Sequence, residues 1–289
     1  MSASGGRSGV FIATIVAAEE LTEQSLPTLP GTRKVEAVEP GVWRVWFEGD
    51  PVAARRTLEA LPADIFVRDA AAPAPRLLVA DMDSTMITVE CIDELADYAG
   101  VKPQVAEVTE RAMRGELDFA GSLRARVKLL AGLEASVLAR CHDERVRITP
   151  GAPTLVQTLR ARGVRTMLVS GGFTFFAERV AADIGFDACR ANLLGIGGGR
   201  LDGTVAEPVL GADAKRAALL GEGIDPAAAI AIGDGANDVP MLEAAGFAVA
   251  YHAKPAAVAA ADAAVRYGDL TAILHGLGVP RGEWVGSPR

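Results

Sequence analysis

Two acidic residues, Asp81 and Asp83, stand two positions apart directly after the apolar run 76–80, and two hydroxyl residues follow them in the stretch "DMDST". Ionised carboxylates are seldom buried unless they are paired with a positive charge or bind a cation. Because Asp, Ser and Thr are also ordinary turn residues, a plain strand-to-loop turn is the alternative. The rest of the chain has to decide between the two.

Three further polar signals accompany apolar runs along the chain. The stretch "SGG" at 170–172 follows one run, "GDGAND" at 233–238 follows another, and Lys215 lies on a predicted helix that leads into the second of these. In an open parallel sheet, ligands bind at the carboxyl ends of the strands. We therefore expect all four signals to meet at one site.

This set of residue types suits phosphoryl transfer. A carboxylate can attack phosphorus if a divalent cation offsets the charge between them, and Mg²⁺ prefers a few hard oxygen ligands. Asp81, Asp234 and a backbone carbonyl at Asp83 are the predicted ligands. Asp83 could also protonate the leaving oxygen and then activate water. Lys215 could neutralise phosphate charge, with a salt bridge to a neighbour such as Asp213 as the alternative.

Phosphate oxygens would be bound by Ser170 and by the backbone amides of Gly171 and Gly172, because glycine permits close backbone approach. For Asp234 and Asn237 the alternative is an ordinary turn in a glycine-rich loop.

The chain before the small, proline-containing stretch "AAAPAPR" predicts a compact α+β unit. We predict a strand over 10–18, a short helix over 20–29, a hairpin over 33–49, a helix over 50–61 and a strand over 63–69. This βαββαβ order indicates a ferredoxin-like domain spanning residues 1–74. It resembles the ACT-type domains that bind amino acids, and a structural spacer or a dimer contact is the alternative function.

Residues 75–289 are predicted to form an α/β domain, because short apolar runs alternate with amphipathic helical patterns. A glycine-rich antiparallel hairpin is expected over 191–207. The charged, strand-free segment at about 90–147 is expected to be a helical cap inserted after the first strand.

Composition excludes several classes of protein. The net charge of −8 and the sequence pI near 5.1 argue against nucleic-acid binding. No apolar stretch approaches the roughly 20 residues of a membrane span, and the first ten residues lack the pattern of a signal peptide. Three widely separated cysteines indicate neither disulfides nor a zinc site, so a cytoplasmic location is predicted.

The motifs "DMDST", "SGG", Lys215 and "GDGAND", in that order, resemble those of the haloacid dehalogenase superfamily of phosphatases. The stretches "DMDSTMITVECIDELADYAGV", "ERAMRGELDFAGSLRARVKLL" and "GDGANDVPML" are similar to the phosphoserine phosphatase family, over roughly residues 77–275. The resemblance implies a Rossmann-like parallel sheet, Asp81 as nucleophile, Asp83 as acid and base, and Asp234 as a Mg²⁺ ligand. It also implies phosphate contacts from Ser170, Gly171, Lys215 and Asn237.

The same resemblance assigns the substrate. Glu90 matches the acid that receives the substrate ammonium, Arg126 the base that pairs with its carboxylate, and Met113 and Phe119 the apolar residues that close over the ligand. Asp238 is expected to support the metal-binding loop. Without the resemblance, Glu90 and Arg126 would be read as solvated surface charges, and Met113 and Phe119 as core residues of the cap.

The implied reaction is Mg²⁺-dependent hydrolysis of O-phospho-L-serine to L-serine and phosphate. One alternative is a phosphotransferase, or a phosphatase for another small ester. The other is a regulatory module that senses an amino acid through residues 1–74. An amino-acid effector at that N-terminal unit and a homodimer are further predictions.

Overall fold

The structure is a computed structural model that describes residues 9–18 and 21–286. The strands are β1 Val10–Ala17, β2 Thr32–Glu39, β3 Val42–Glu48, β4 Ala63–Asp69, β5 Leu77–Ala80, β6 Arg165–Phe173, β7 Ala188–Asn192, β8 Leu194–Gly197, β9 Arg200–Val205, β10 Ala229–Gly233, β11 Phe247–Tyr251 and β12 Ala263–Val265. The α-helices are α1 Pro51–Leu58, α2 Cys91–Tyr98, α3 Lys102–Met113, α4 Phe119–Leu129, α5 Ser136–Arg145, α6 Ala152–Ala161, α7 Thr174–Ile184, α8 Ala212–Leu220, α9 Val239–Ala244, α10 Pro255–Ala260 and α11 Ala272–Gly276. Among these described helices, none combines the length and the apolar character needed to cross a bilayer.

The predicted parallel sheet is confirmed, with the strand order β12-β11-β10-β5-β6-β7. Its central strands β5, β10 and β11 are buried along their whole length. Strands covered by helices on both faces have no solvent side, which explains why their sequences are continuous apolar runs. The carboxyl ends of β5, β6 and β10 therefore lie side by side at one edge of the sheet.

Helices α2 to α5 fill the segment between β5 and α6, as the sequence predicted for residues of about 90–147. The predicted hairpin is also present as β8 and β9, which pair antiparallel. It binds the α4–α5 connection through backbone hydrogen bonds, from Gly132 N to Leu201 O (2.8 Å) and from Ala135 N to Gly199 O (2.9 Å). The helical segment is thus held to the rest of the protein at a second place, away from β5.

The N-terminal strands pair antiparallel in the order β2-β3-β1-β4, which is the ferredoxin-like order. Helix α1 begins after Asp50, whose side chain accepts a hydrogen bond from Val52 N (2.9 Å), and carries proline at its first position. It buries Ala54 and Leu58 against one face of these strands.

The helix predicted over 20–29 is wrong. Glu20 lies outside the described residues, and the remainder forms only a single 3₁₀ turn at Glu23–Ser25. Leu26 is extended (φ −78°, ψ 129°), because a residue before proline is driven out of the helical region. The proline at position 27 therefore prevents a helix from forming across this segment.

The prediction that no signal peptide is present concerns residues 1–10, most of which also lie outside the described range.

The N-terminal strands and the parallel strands form one ten-stranded sheet, because β4 pairs antiparallel with β12. The buried Asp64 strengthens this junction, since its carboxylate accepts hydrogen bonds from the backbone amides of Arg266 (2.6 Å), Tyr267 (3.1 Å) and Gly268 (2.8 Å). Helix α11 packs against β1 and β4. A division of the chain into domains at residues 74 and 75 stays a prediction.

Candidate active site

The structure brings the polar residues at the strand ends together. Asp81 follows β5, Ser170 lies near the end of β6, and Asp234 follows β10. Carboxylate oxygens of Asp81, Asp234 and Asp238 lie within 4.8 Å of one another, and all three residues are buried. Residues separated by more than 150 positions therefore share one pocket of negative charge.

Lys215, on α8, is fully buried between two of these acids. Its Nζ lies 2.7 Å from Asp81 Oδ1 and 2.6 Å from Asp238 Oδ1. Burial alone would lower the pKa of Lys215, but the two carboxylates outweigh it and raise the pKa. The lysine is therefore held in its charged form beside Asp81, and the alternative salt bridge to Asp213 does not occur among the described ion pairs.

Asp238 organises the loop that carries Asp234. Its Oδ2 accepts hydrogen bonds from the backbone amides of Asp234 (3.1 Å) and Gly235 (3.0 Å), while its Oδ1 accepts from Lys215. These contacts agree with the supporting position expected for it. Asp238 nevertheless lies closer to the other acids than the sequence suggested, because its oxygens belong to the same cluster.

The acids carry more negative charge than Lys215 neutralises. Burial and the neighbouring Asp238 raise the pKa of Asp81, against the opposing effect of Lys215. Burial, followed by Asp238, raises the pKa of Asp234 to about 6. A divalent cation would offset this charge, so the three carboxylates fit a metal ion.

The predicted metal ligand at Asp83 is its backbone carbonyl, and its carboxylate lies elsewhere. Among the described residues, its carboxylate is not part of the three-acid cluster, because the chain turns away after Asp81 and directs it elsewhere. Its Oδ1 accepts a hydrogen bond from Cys91 N (3.1 Å) at the start of α2. A contribution of Asp83 to a metal site would therefore come from its backbone carbonyl.

The Asp83 carboxylate instead faces the "SGG" stretch. A Cβ added at Gly172 would lie 2.7 Å from Asp83 Oδ2 and 3.0 Å from Ser170 Oγ, so only glycine permits this approach. Burial, and next the negative charge of Glu90, raise the pKa of Asp83 to about 7. A carboxyl with that pKa can both give and take a proton near neutral pH.

The two charged cap residues lie beside this group. Glu90 precedes α2, and its Oε1 accepts a hydrogen bond from Ser84 Oγ (2.8 Å). Arg126, on α4, has a buried Nε without a hydrogen-bond partner among the described residues. Burial lowers the pKa of Arg126, and the negative charges of Asp93, Glu90 and Asp83 oppose that shift. A buried donor without a protein partner is free to bind an anionic group of a substrate.

The two predicted apolar cap residues differ in position. Phe119 lies against the site, since a Cβ added at Gly171 would be 2.7 Å from its ring and one added at Gly211 would be 3.0 Å away. Met113, in contrast, is 81% exposed. It is the last residue of α3 and the structure does not bring it to the site, because the helix ends there in a charged turn held by an ion pair between Arg114 and Glu116.

Asn237 follows Asp234 in the same loop and is half-buried.

The sequence analysis missed two residues that contact the loops of the site, and both lie at or after the carboxyl end of a strand. The buried Asn192, at the end of β7, donates from Nδ2 to Gly171 O (2.9 Å) and to Leu210 O (3.1 Å). Lys254, after β11, donates its backbone N–H to Asp234 O (2.8 Å), and its Nζ lies 3.7 Å from Asp234 Oδ2. The position of Lys254 after the apolar run of β11 was a signal that could have found it, whereas Asn192 follows no such run.

Comparison with known proteins places this fold and site in one class. Residues 78–243 match the haloacid dehalogenase-like hydrolase family, and residues 215–277 match a second profile of the same description. The chain therefore belongs to the haloacid dehalogenase-like hydrolase family.

Individual relatives define the place of the chain within that family. The chain is 46% identical over 209 residues to a phosphoserine phosphatase of Polaromonas sp., a match that covers 69% of this chain and 89% of the relative. It is 45% identical over 255 residues to the phosphoserine phosphatase of Streptomyces coelicolor, and this match covers 86% of this chain and 62% of the relative. Within the family, the chain therefore belongs with the phosphoserine phosphatases.

A solved structure extends the likeness to the whole fold. The unliganded probable phosphoserine phosphatase from Vibrio cholerae superposes with a TM-score of 0.76 at 34% identity, and the match covers 96% of this chain and 88% of that one. The N-terminal strands are therefore included in the similarity.

Proposed function

We propose that this hydrolase converts O-phospho-L-serine and water to L-serine and phosphate. The observation that carries the substrate assignment is the charge pair in the cap, Glu90 and Arg126, next to Asp83. Phosphoserine is a zwitterion with a phosphate, so it needs an acid for its ammonium and a base for its carboxylate. The buried, unpaired Nε of Arg126 offers a charge-assisted donor for the second.

Asp81 is the proposed nucleophile. Its Oδ1 takes hydrogen bonds from Met82 N (2.7 Å) and lies 2.7 Å from Lys215 Nζ, which fixes the carboxylate plane. We assign the attack on phosphorus to Oδ2, the oxygen that these two donors leave open. The attack forms a phospho-aspartyl enzyme and breaks the bond between phosphorus and the serine oxygen.

Asp83 is the proposed acid and base. It protonates the departing serine oxygen, and as a carboxylate it then removes a proton from the water that attacks the phospho-aspartate. A pKa near 7 suits both steps, because neither form is scarce at neutral pH. Its position beside Ser170 and Gly172, the proposed phosphate contacts, supports this role.

The phosphoryl oxygens are assigned to Ser170, the amides of Gly171 and Gly172, Lys215 and Asn237. Lys215 supplies a fixed positive charge that cannot easily be lost, since two carboxylates hold it. Phe119 covers this region and would exclude bulk water during the first step.

The proposed cofactor is Mg²⁺, held by Asp81, Asp234 and the backbone carbonyl of Asp83, with Asp238 supporting the loop. When bound, it offsets the charge between the nucleophile and the phosphate. The three-carboxylate cluster supports a divalent cation in this place.

The decisive experiment measures phosphate release from a panel of phosphorylated metabolites, with Mg²⁺ and with chelator. We expect O-phospho-L-serine to be preferred and the chelator to abolish release. A second arm adds L-serine as an acceptor to the esters other than O-phospho-L-serine, because phosphate transfer to serine would lower free phosphate while the ester is still consumed. Equal rates on esters without an amino acid would contradict the proposed substrate.

An amino-acid effector at the N-terminal strands, a homodimer and a cytoplasmic location complete the proposal. The ferredoxin-like strand order supports the first of these. Calorimetric titration of the full chain with L-serine tests the amino-acid effector. It is carried out in the Asp81→Asn background, with and without an excess of phosphate at the catalytic site. Sedimentation of the full chain tests the dimer.

A further inference from the structure

We propose that Ser84 is a positioning residue that sets the preference for an ammonium-bearing substrate by holding Glu90. This inference rests on the proposed function, because it assigns Glu90 to the substrate ammonium. Ser84 belongs to the "DMDST" stretch, yet the proposed chemistry of Asp81 and Asp83 makes no use of it.

The direct contact is a hydrogen bond from Ser84 Oγ to Glu90 Oε1 of 2.8 Å. Both residues are half-buried, so water competes less for the carboxylate than it would on an open surface. With Oε1 fixed by the hydroxyl, Oε2 is the oxygen that remains for an ammonium group. The hydroxyl thereby selects one orientation of a long, flexible side chain.

The backbone of Ser84 indicates that the side chain is needed. Ser84 adopts a left-handed conformation (φ 54°, ψ 6°), and among the described non-glycine residues only His252 also has a positive φ. Glycine would adopt this conformation without strain but has no hydroxyl. A non-glycine residue with a left-handed backbone conformation, next to candidate catalytic residues, points to a functional constraint.

The same turn brings the two residues together. Ser84 N donates to Val89 O (3.3 Å), and Ile87 N donates to Met82 O (3.0 Å), so the chain folds back within six residues. The left-handed backbone of Ser84 thus directs its hydroxyl toward Glu90, at the start of the cap. Asp83 and Glu90 repel each other across this turn, and the hydrogen bond keeps the Glu90 carboxylate in place against that repulsion.

The test compares O-phospho-L-serine with 3-(phosphonooxy)propanoate, which has the same phosphate and carboxylate but hydrogen in place of the ammonium. The ratio of kcat/KM for the two esters measures ammonium recognition alone. It is determined for the wild type, Ser84→Ala, Ser84→Gly, Glu90→Gln and the double variant Ser84→Ala/Glu90→Gln. Ser84→Gly secures the fold, since glycine accepts the positive φ. Ser136→Ala, at an exposed serine of α5, is the matched control.

We expect both Ser84 variants to lower the ratio about three- to tenfold, which is the range of one ordinary hydrogen bond. The effect is smaller than that of a direct bond to a charged group, because Ser84 acts through Glu90. Turnover of the deaminated ester should stay within about twofold of wild type. In the Glu90→Gln background, Ser84→Ala should have no further effect, because the two residues act as one unit.

Ser84 variants that slow both esters equally, or that leave the ratio unchanged, would overturn the positioning role. An additive double variant would overturn it as well. If the wild type itself hydrolyses both esters equally, the substrate assignment of Glu90 fails and this proposal fails with it. That outcome is recognisable from the wild type alone.

Discussion

Replacing Asp234 by asparagine should stabilise the metal-free protein while it removes metal binding. Asp234 lies among buried acids, and its ionised form is disfavoured by burial and by Asp238. Asparagine keeps the shape of the side chain and removes the charge. The wild-type acid thus lowers the stability of the metal-free protein, and the same charge allows the site to bind a cation.

The magnitude follows from the pKa. A carboxyl whose pKa rises from 3.8 to about 6 on folding loses about 3 kcal/mol of folding free energy when it is ionised, at about 1.36 kcal/mol per pKa unit. The side chain is only 8% exposed, so solvent screening changes this little. Because the folded pKa is the higher one, the loss is absent below pH 3.8, grows as the pH rises, and is complete above about pH 6.

Urea denaturation in chelator measures the effect. We expect Asp234→Asn to gain about 1–3 kcal/mol in the free energy of unfolding at pH 8, and about half of that at pH 5. Glu178→Gln, at an exposed acid of α7, should change neither value. Added Mg²⁺ should stabilise the wild type and leave the variant unchanged. A variant no more stable than the wild type at pH 8 in chelator would refute the reasoning.

Three further outcomes are expected. Asp81→Asn should lower phosphate release at least about a thousandfold with an unchanged circular dichroism spectrum, and an active variant would exclude a covalent intermediate. Arg126→Gln should raise KM for O-phospho-L-serine about ten- to hundredfold. Arg124→Gln should not, because this exposed arginine, two residues earlier on α4, pairs with Glu207 instead. The wild-type kcat/KM should fall above a pH of about 7 as Asp83 loses its proton, and Glu90→Gln should move that decline to lower pH, because Glu90 raises the pKa of Asp83. A pH profile that Glu90→Gln leaves in place would contradict this account of Asp83.

The parallel sheet could be predicted because the burial of each central strand is visible in its own sequence. Strands β5, β10 and β11 are buried on both faces, so each reads as an unbroken apolar run ended by a polar or glycine residue. Strand β7 gave no such signal, since it lies at the sheet edge, where Arg190 is exposed and only Asn192 is buried. The contact of Asn192 with the "SGG" loop was missed for the same reason.

The apolar pattern and the composition gave a wrong prediction where a backbone restriction determined the structure. The segment 20–29 has helix-forming residues, but the proline at position 27 restricts Leu26 to an extended conformation. The junction of β4 with β12 could not be read from the sequence either. It depends on Asp64 meeting three backbone amides some 200 residues further on.

For the site, sequence order was informative about which residues meet and less informative about orientation. Asp81, Asp234 and Lys215 each follow or precede a buried strand, so the topology brings them together. The direction of the Asp83 carboxylate and the exposed position of Met113 depend on a turn and a helix end. The left-handed backbone of Ser84 likewise leaves no trace in a residue pattern.

The pairing of β4 with β12 has a consequence for any shortened form of the chain. Strand β12 is only three residues long, and β4 occupies the edge that it would otherwise present to solvent. A fragment that starts at the proline-containing stretch would expose unpaired amides and carbonyls there, together with the apolar surface of α11. Bare strand edges recruit other chains, so such a fragment should self-associate and precipitate even with its catalytic pocket intact.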